Sequence, residues 1–161
     1  MEKILLSACL IGKQVRYDGK TLAVHEKILK QWRAEGRIIS VCPEVESGMS
    51  VPRAPAEIAG GDGYDVLAST TEVIDNSGNN VSHFFKSGAQ IALEQCREHN
   101  ITLAVLAEGS PSCGSSVIHD GSFTGRKIPG AGVTTALLNQ HGIRVFSQHE
   151  LPIVDQILRK R

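Results

Sequence analysis

Residues 101–113 read ITLAVLAEGSPSC, an apolar run that feeds straight into a polar turn ending on a cysteine. Unbroken apolar character over 101–107 suits a strand buried on both faces, as parallel strands between helical layers are. The same grammar recurs along the chain. KILLSAC (3–9) and RIISVC (37–42) are apolar runs closed by a cysteine, and IRVFS (143–147) is a fourth run of the same kind.

Helical patterns fill the intervals between these runs. In VHEKILKQWRAEG (24–36), Val24, Ile28, Leu29 and Trp32 share one helical face, and Gly36 stands where a helix stops. SHFFKSGAQIALEQCREHN (82–100) has Ser82 as its expected N-cap, with Phe85, Ile91, Ala92 and Cys96 along one side. GAGVTTALLNQHG (130–142) and ELPIVDQILRKR (150–161) predict two further helices. Residues 43–63, rich in proline and glycine, read as an ordered excursion without helix or strand. Residues 64–82, with the turn signal Asn76-Ser77-Gly78, predict a small β-hairpin insertion. The whole reads as an α/β fold, a mostly parallel sheet flanked by helices (Rossmann-like), in a single domain spanning 1–161.

Composition narrows the function classes. The chain has 161 residues, 41% hydrophobic and 21% charged, which suits a globular domain with a real core. Seventeen basic and seventeen acidic residues cancel, leaving no electrostatic footprint for nucleic acid or an acidic membrane. The N-terminal apolar run is too short for a signal peptide, and Glu2 sits where a positive region would be. The expectation is a cytoplasmic protein that uses no membrane, whose cysteines serve as thiols, ligands or catalysts rather than disulfides.

Three of the four cysteines then fall together. Cys9, Cys42 and Cys113 each follow a predicted strand, so in a parallel sheet they share its carboxyl edge, where such folds build their sites. Cys96 sits at core spacing within a helix and reads as a packing residue. No C-x-x-C pair is present, and no histidine neighbours the three edge cysteines in sequence. Those absences fit neither a zinc site of paired ligands nor a Cys–His nucleophile. Soft thiolates without histidine also suit an iron–sulfur cluster.

SACLIGKQVRYDG (7–19), CPEVESGMSVPRAPAE (42–57), SPSCG (110–114) and GAGV (130–133) resemble, in order and spacing, the thiouracil desulfurase family. The resemblance covers nearly the whole chain and implies a single iron–sulfur desulfurase domain. It implies a 4Fe–4S cluster held by Cys9, Cys42 and Cys113, with one iron left open to the sulfur of a thiolated uracil. The implied reaction is a non-redox exchange of C=S for C=O that releases hydrosulfide. Glu44 matches the family's catalytic acidic residue and Ser110 its serine. Where the family has a glycine-rich GGLP stretch, this chain reads ESGMSVP (46–52), which places Glu46, Met49 and Ser50 near the expected pocket.

Arg16, Arg53 and Ser112 are candidate substrate-binding residues. The arginines can hold a phosphate or a uracil carbonyl, or instead fix a loop through an Arg–carboxylate pair. Ser112, like Ser110, can also organise its own turn. The free N–H groups opening the helix at PGAGVT can bind an anion, although close packing explains Gly130 and Gly132 equally well. Of the six histidines, His119 lies nearest the site in sequence. The implied partner is a small thiolated pyrimidine or its nucleotide. Two other readings compete: a cysteine-persulfide carrier working at Cys113 without a cluster, and a non-catalytic metal-binding module.

Overall fold

The computed structural model describes residues 1–12, 17–18 and 27–161. Arg16, Val24 and His25 lie outside the described residues. In chain order the elements are β1 (Ile4–Ser7), α1 (Lys27–Ala34), β2 (Ile38–Val41), α2 (Pro43–Glu46), β3 (Ala56–Ile58), α3 (Gly63–Leu67) and β4 (Val73–Asp75). They continue with α4 (Ser82–Glu98), β5 (Leu103–Leu106), β6 (Val117–His119), β7 (Lys127–Pro129), α5 (Val133–Gln140), β8 (Arg144–Ser147) and α6 (Leu151–Arg159).

The four runs recognised in the sequence form one sheet in the order β2–β1–β5–β8, every pair parallel. β1 and β5 lie at its centre and are buried along their whole length, which is why both read as unbroken apolar runs. Alternation splits the core into two faces. Ile4, Leu6, Leu103 and Val105 pack with Leu29 and Trp32 of α1 and with Val154 and Leu158 of α6. Leu5, Ala104 and Leu106 pack on the other face with Ala92, Leu93 and Cys96 of α4 and Leu138 of α5. The result is an α/β sandwich of three layers. Trp32 Nε1 donates to Asp155 Oδ1 at 3.0 Å, locking α1 to α6 beneath the sheet. None of the helices among the described residues is long and apolar enough to cross a membrane.

Several local expectations are corrected. The excursion after Cys42 contains the helix α2 and the strand β3. Pro43 occupies the first helical position, and Glu46 Oε2 accepts from the Cys42 N–H at 2.8 Å, so the turn carries both a proline start and a carboxylate cap. Residues 63–67 form a helix, not a hairpin strand, because Asp62 and Asp65 close a reciprocal capping box. β4 pairs antiparallel with β3, and the turn at 76–78 leads only to an isolated bridge between Ile74 and Asn80. The long helix is entered from Val81; Ser82 Oγ accepts from the Val73 N–H at 2.8 Å and so ties the helix to β4. A second antiparallel pair, β6–β7, was not foreseen.

Candidate active site

The chain passes from β1 outward to β2 and then returns to β5 on the opposite side of β1. The strand order therefore reverses between β1 and β5, and the crevice at their carboxyl ends is where open parallel sheets bind ligands. A cleft of about 520 Å³ opens there, with Cys9, Cys42 and Cys113 in its walls.

Each cysteine sits on a turn that its neighbours shape. Cys9 lies in a single helical turn, Ala8–Ile11, closed by Gly12 at φ +91°, a left-handed position that suits glycine. Cys42 ends β2 and caps α2. Cys113 is held by Ser110, whose Oγ accepts from the N–H groups of Ser112 at 3.0 Å and Cys113 at 3.2 Å. Helices press on these turns from outside. A Cβ on Gly88 of α4 would overlap the Pro43 carbonyl, and one on Gly132 would overlap the Ser112 backbone. Glycine at both positions lets α4 and the start of α5 reach the turns of Cys42 and Cys113.

The three thiols feel one another. Burial pushes the Cys113 thiol well above its ordinary value, and the charges of Glu44, Cys42 and Cys9 push it the same way, against a hydrogen bond to Ser112. Burial also raises Cys42, with Glu44 adding to the rise and Arg53 opposing it. Cys96 stands apart in the core, its thiol pushed up to about 12 by burial. No cysteine is disulfide-bonded.

Glu44, in the first turn of α2, lines the cleft beside these thiols. Its Oε2 receives Arg53 Nη2 at 2.8 Å, and both side chains are largely buried, 15% and 7% exposed. Arg53 is itself held, since its Nη1 donates to the Ser50 carbonyl at 3.1 Å and its backbone N–H to the Tyr17 carbonyl at 2.7 Å. Of the two readings for Arg53, the geometry supports the Arg–carboxylate pair. Met49 lines the cleft; Glu46 and Ser50 are instead spent on the backbone of their own loop.

Ser110 lines the cleft, whereas Ser112 is fully buried. Ser112 Oγ lies 2.8 Å from Thr134 Oγ1, so it packs against α5 and is not among the residues that line the cleft. The N–H groups at the start of α5 are taken by carbonyls of the Cys113 turn: Val133 donates to Pro111 and Thr134 to Ser112, each at 2.8 Å. That helix start is a docking joint between α5 and the turn, not an anion site.

Several wall residues carry no motif in the sequence, Glu108, Glu57, Phe123 and Lys127 among them. Glu108 opens the Cys113 loop and binds it shut. Its Oε1 accepts from the N–H groups of Ser115, Ser116 and Val117, and its Oε2 from the Ser115 and Ser116 hydroxyls. Burial pushes this carboxyl up, but those hydrogen bonds outweigh it and hold the group at about 2. A carboxylate heading a serine-rich turn was a readable signal for this role. Glu57, Phe123 and Lys127 come from β3, the β6–β7 tip and β7, elements the sequence did not announce. His119, the histidine nearest the site in sequence, also lines the cleft, and its Nδ1 is buried without a hydrogen-bond partner among the described residues.

The donor set suits an iron–sulfur cluster. A single zinc ion needs its ligands gathered at about 2.1–2.3 Å from one point. Among the described residues, no three His, Cys, Asp or Glu side chains gather in that way. A four-iron cluster takes each thiolate on a different iron, which matches three soft donors placed on three separate turns around one cleft.

Comparison with known proteins agrees with this geometry. The family model described as 2-thiouracil desulfurase matches residues 4–150. YbbK, an uncharacterized protein of Bacillus subtilis (strain 168), is 47% identical over 148 residues, which is 92% of this chain and 97% of its own length. A solved structure of TudS, described as a 4Fe–4S-dependent thiouracil desulfidase, is 43% identical with a TM-score of 0.92, covering 100% of each chain. The four sequence blocks, the fold and the full-length match agree: the chain belongs to the 2-thiouracil desulfurase family.

Proposed function

We propose that this protein is a desulfurase that converts thiolated uracil compounds to uracil compounds, with Cys9, Cys42 and Cys113 holding a 4Fe–4S cluster. The observation that carries the proposal is the meeting of three thiols with an arginine-held carboxylate in one cleft at the strand switch point. The net reaction adds water across C=S and expels sulfur. One thiocarbonyl and one water become one carbonyl and one hydrogen sulfide, without electron transfer. Held by Cys9, Cys42 and Cys113, the cluster would supply a Lewis-acidic iron to polarise the carbon–sulfur bond.

The chain's own residues supply the rest. Glu44 takes a proton from the attacking water as general base. Arg53 holds Glu44 Oε2, which leaves Oε1 for the water. Ser110 already accepts two backbone N–H groups, so its hydroxyl proton is directed outward as a donor to the substrate or the water. The neutral charge balance supports a small pyrimidine, base or nucleotide, over a thiolated RNA.

A persulfide carrier at Cys113 fits poorly. Such a thiol needs exposure, and Cys113 is buried. Alanine at Cys9, Cys42 or Cys113 decides between the readings. Each variant, reconstituted anaerobically with iron and sulfide, is expected to lose the cluster's visible absorbance and hydrosulfide release together. Retained desulfuration in Cys9→Ala or Cys42→Ala would favour the one-thiol carrier.

A further inference from the structure

The β6–β7 tip places one residue in an unusual posture. Phe123 has φ +58°, a left-handed backbone that a bulky side chain rarely adopts. The residue is 39% exposed and belongs to none of the buried apolar clusters or their half-buried fringes. It lines the same cleft as the three cysteines. Neither backbone comfort nor core packing accounts for an aromatic residue there.

The surroundings force this posture. Glu57 of β3, itself buried, accepts at one oxygen from the Gly121 N–H at 2.9 Å and the Phe123 N–H at 3.3 Å. Gly121, at φ +94°, packs so closely on the Ile58 carbonyl that no Cβ fits. Asp120 Oδ1 accepts from the Ser122 N–H at 2.9 Å, and the Asp120 N–H closes the loop on the Arg126 carbonyl at 3.0 Å. The tip is thus pinned to β3 at Gly121 and at Phe123 itself, and local strain held by surrounding structure is a mark of functional positions.

We infer that Phe123 is the stacking platform for the pyrimidine ring and therefore a substrate-positioning residue of the cleft. A thiolated uracil is flat and conjugated, and base–aromatic stacking recognises such a face whatever its exocyclic substituents. The edge-on groups, Glu44 and Ser110, then act on a ring whose plane is already set. The inference rests on the thiouracil reading above.

The test uses cluster-loaded protein and three variants, Phe123→Asn, Phe123→Leu and Phe123→Tyr. Measured quantities are KM and kcat for 2-thiouracil, iron content, melting temperature, and equilibrium binding of uracil, the unreactive product. Asparagine tolerates the left-handed backbone, so Phe123→Asn is expected to melt no lower than wild type, with equal iron. It should nevertheless raise KM and weaken uracil binding about tenfold. Phe123→Leu, which keeps apolar bulk without a ring, should show the same loss of binding, and Phe123→Tyr should retain wild-type values. Wild-type KM and uracil affinity in the Leu or Asn variant would overturn the inference. Absence of hydrosulfide release by wild-type protein would overturn the desulfurase reading instead, and the uracil titration would still decide the role of Phe123.

Discussion

Glu44 has one oxygen committed to Arg53, and that division of labour makes separable predictions. Glu44→Gln keeps the shape of the side chain and removes its basicity. The variant should bind iron normally, keep the cluster spectrum and lose turnover by about 10²–10⁴-fold; wild-type turnover would remove Glu44 from the reaction. Arg53→Met leaves a largely buried carboxylate without its counter-charge, a change that destabilises proteins by about 3–5 kcal/mol. Removing both charges in Arg53→Met/Glu44→Gln should recover most of that stability, measured by urea unfolding, because no buried charge is left alone. A double variant no more stable than Arg53→Met would show that the pair is not energetically coupled. The two residues stand nine positions apart across a loop, so the candidates and an Arg–carboxylate pair were legible in the sequence, but not which carboxylate Arg53 takes. Proline and glycine told the reader that the chain turns between them, without telling where it returns.

Elements position the thiols through contacts too close for a side chain. The start of α5 docks on the Cys113 turn at Gly132, where a Cβ would overlap the Ser112 backbone. Gly132→Ala should therefore destabilise the protein by about 1–3 kcal/mol and lower the iron bound per chain. Unchanged stability and iron content would mean that the turn does not depend on this joint. The loop that carries Cys113 depends in turn on Glu108, whose carboxyl is held at about 2 instead of its ordinary 4.5. A carboxyl lowered in the folded state stabilises it above the unfolded pKa, and that contribution is lost as pH falls through the folded pKa. The gap in melting temperature between wild type and Glu108→Gln should accordingly be full above pH about 4.5 and close toward pH about 2. A gap that stays constant across that window would assign the loop's cohesion to something other than this carboxylate. The strands of the central sheet were legible because each is long enough, and apolar enough, to show its burial in its own letters. β3, β6 and β7 were not, since each has three residues and exists only through a partner far along the chain or across a loop, while β4 was legible only as part of a hairpin over 64–82.

Over the whole molecule, a parallel sheet with its reversal between β1 and β5 gathers residues from distant segments at one edge. Cys9, Cys42 and Cys113 could be placed together from sequence because each closes an apolar run, and parallel strands share one carboxyl edge. The part of the wall that bears Glu57, Phe123 and Lys127 could not, because it comes from β3, the β6–β7 tip and β7. A strained backbone such as that of Phe123 leaves no trace in composition; only its flanking glycines, Gly121 and Gly125, hint at an unusual turn. The central claim is that this edge carries a cluster and replaces sulfur by oxygen on a thiolated uracil. Anaerobic reconstitution of the wild-type chain with iron and sulfide, followed by incubation with a panel of thiolated uracil bases, nucleosides and nucleotides, tests it most directly. The account predicts a coloured, iron-loaded protein that releases hydrosulfide and the corresponding uracil compound in equal amounts. A colourless protein that binds no iron, or a loaded one that releases no hydrosulfide from any member of the panel, would contradict it.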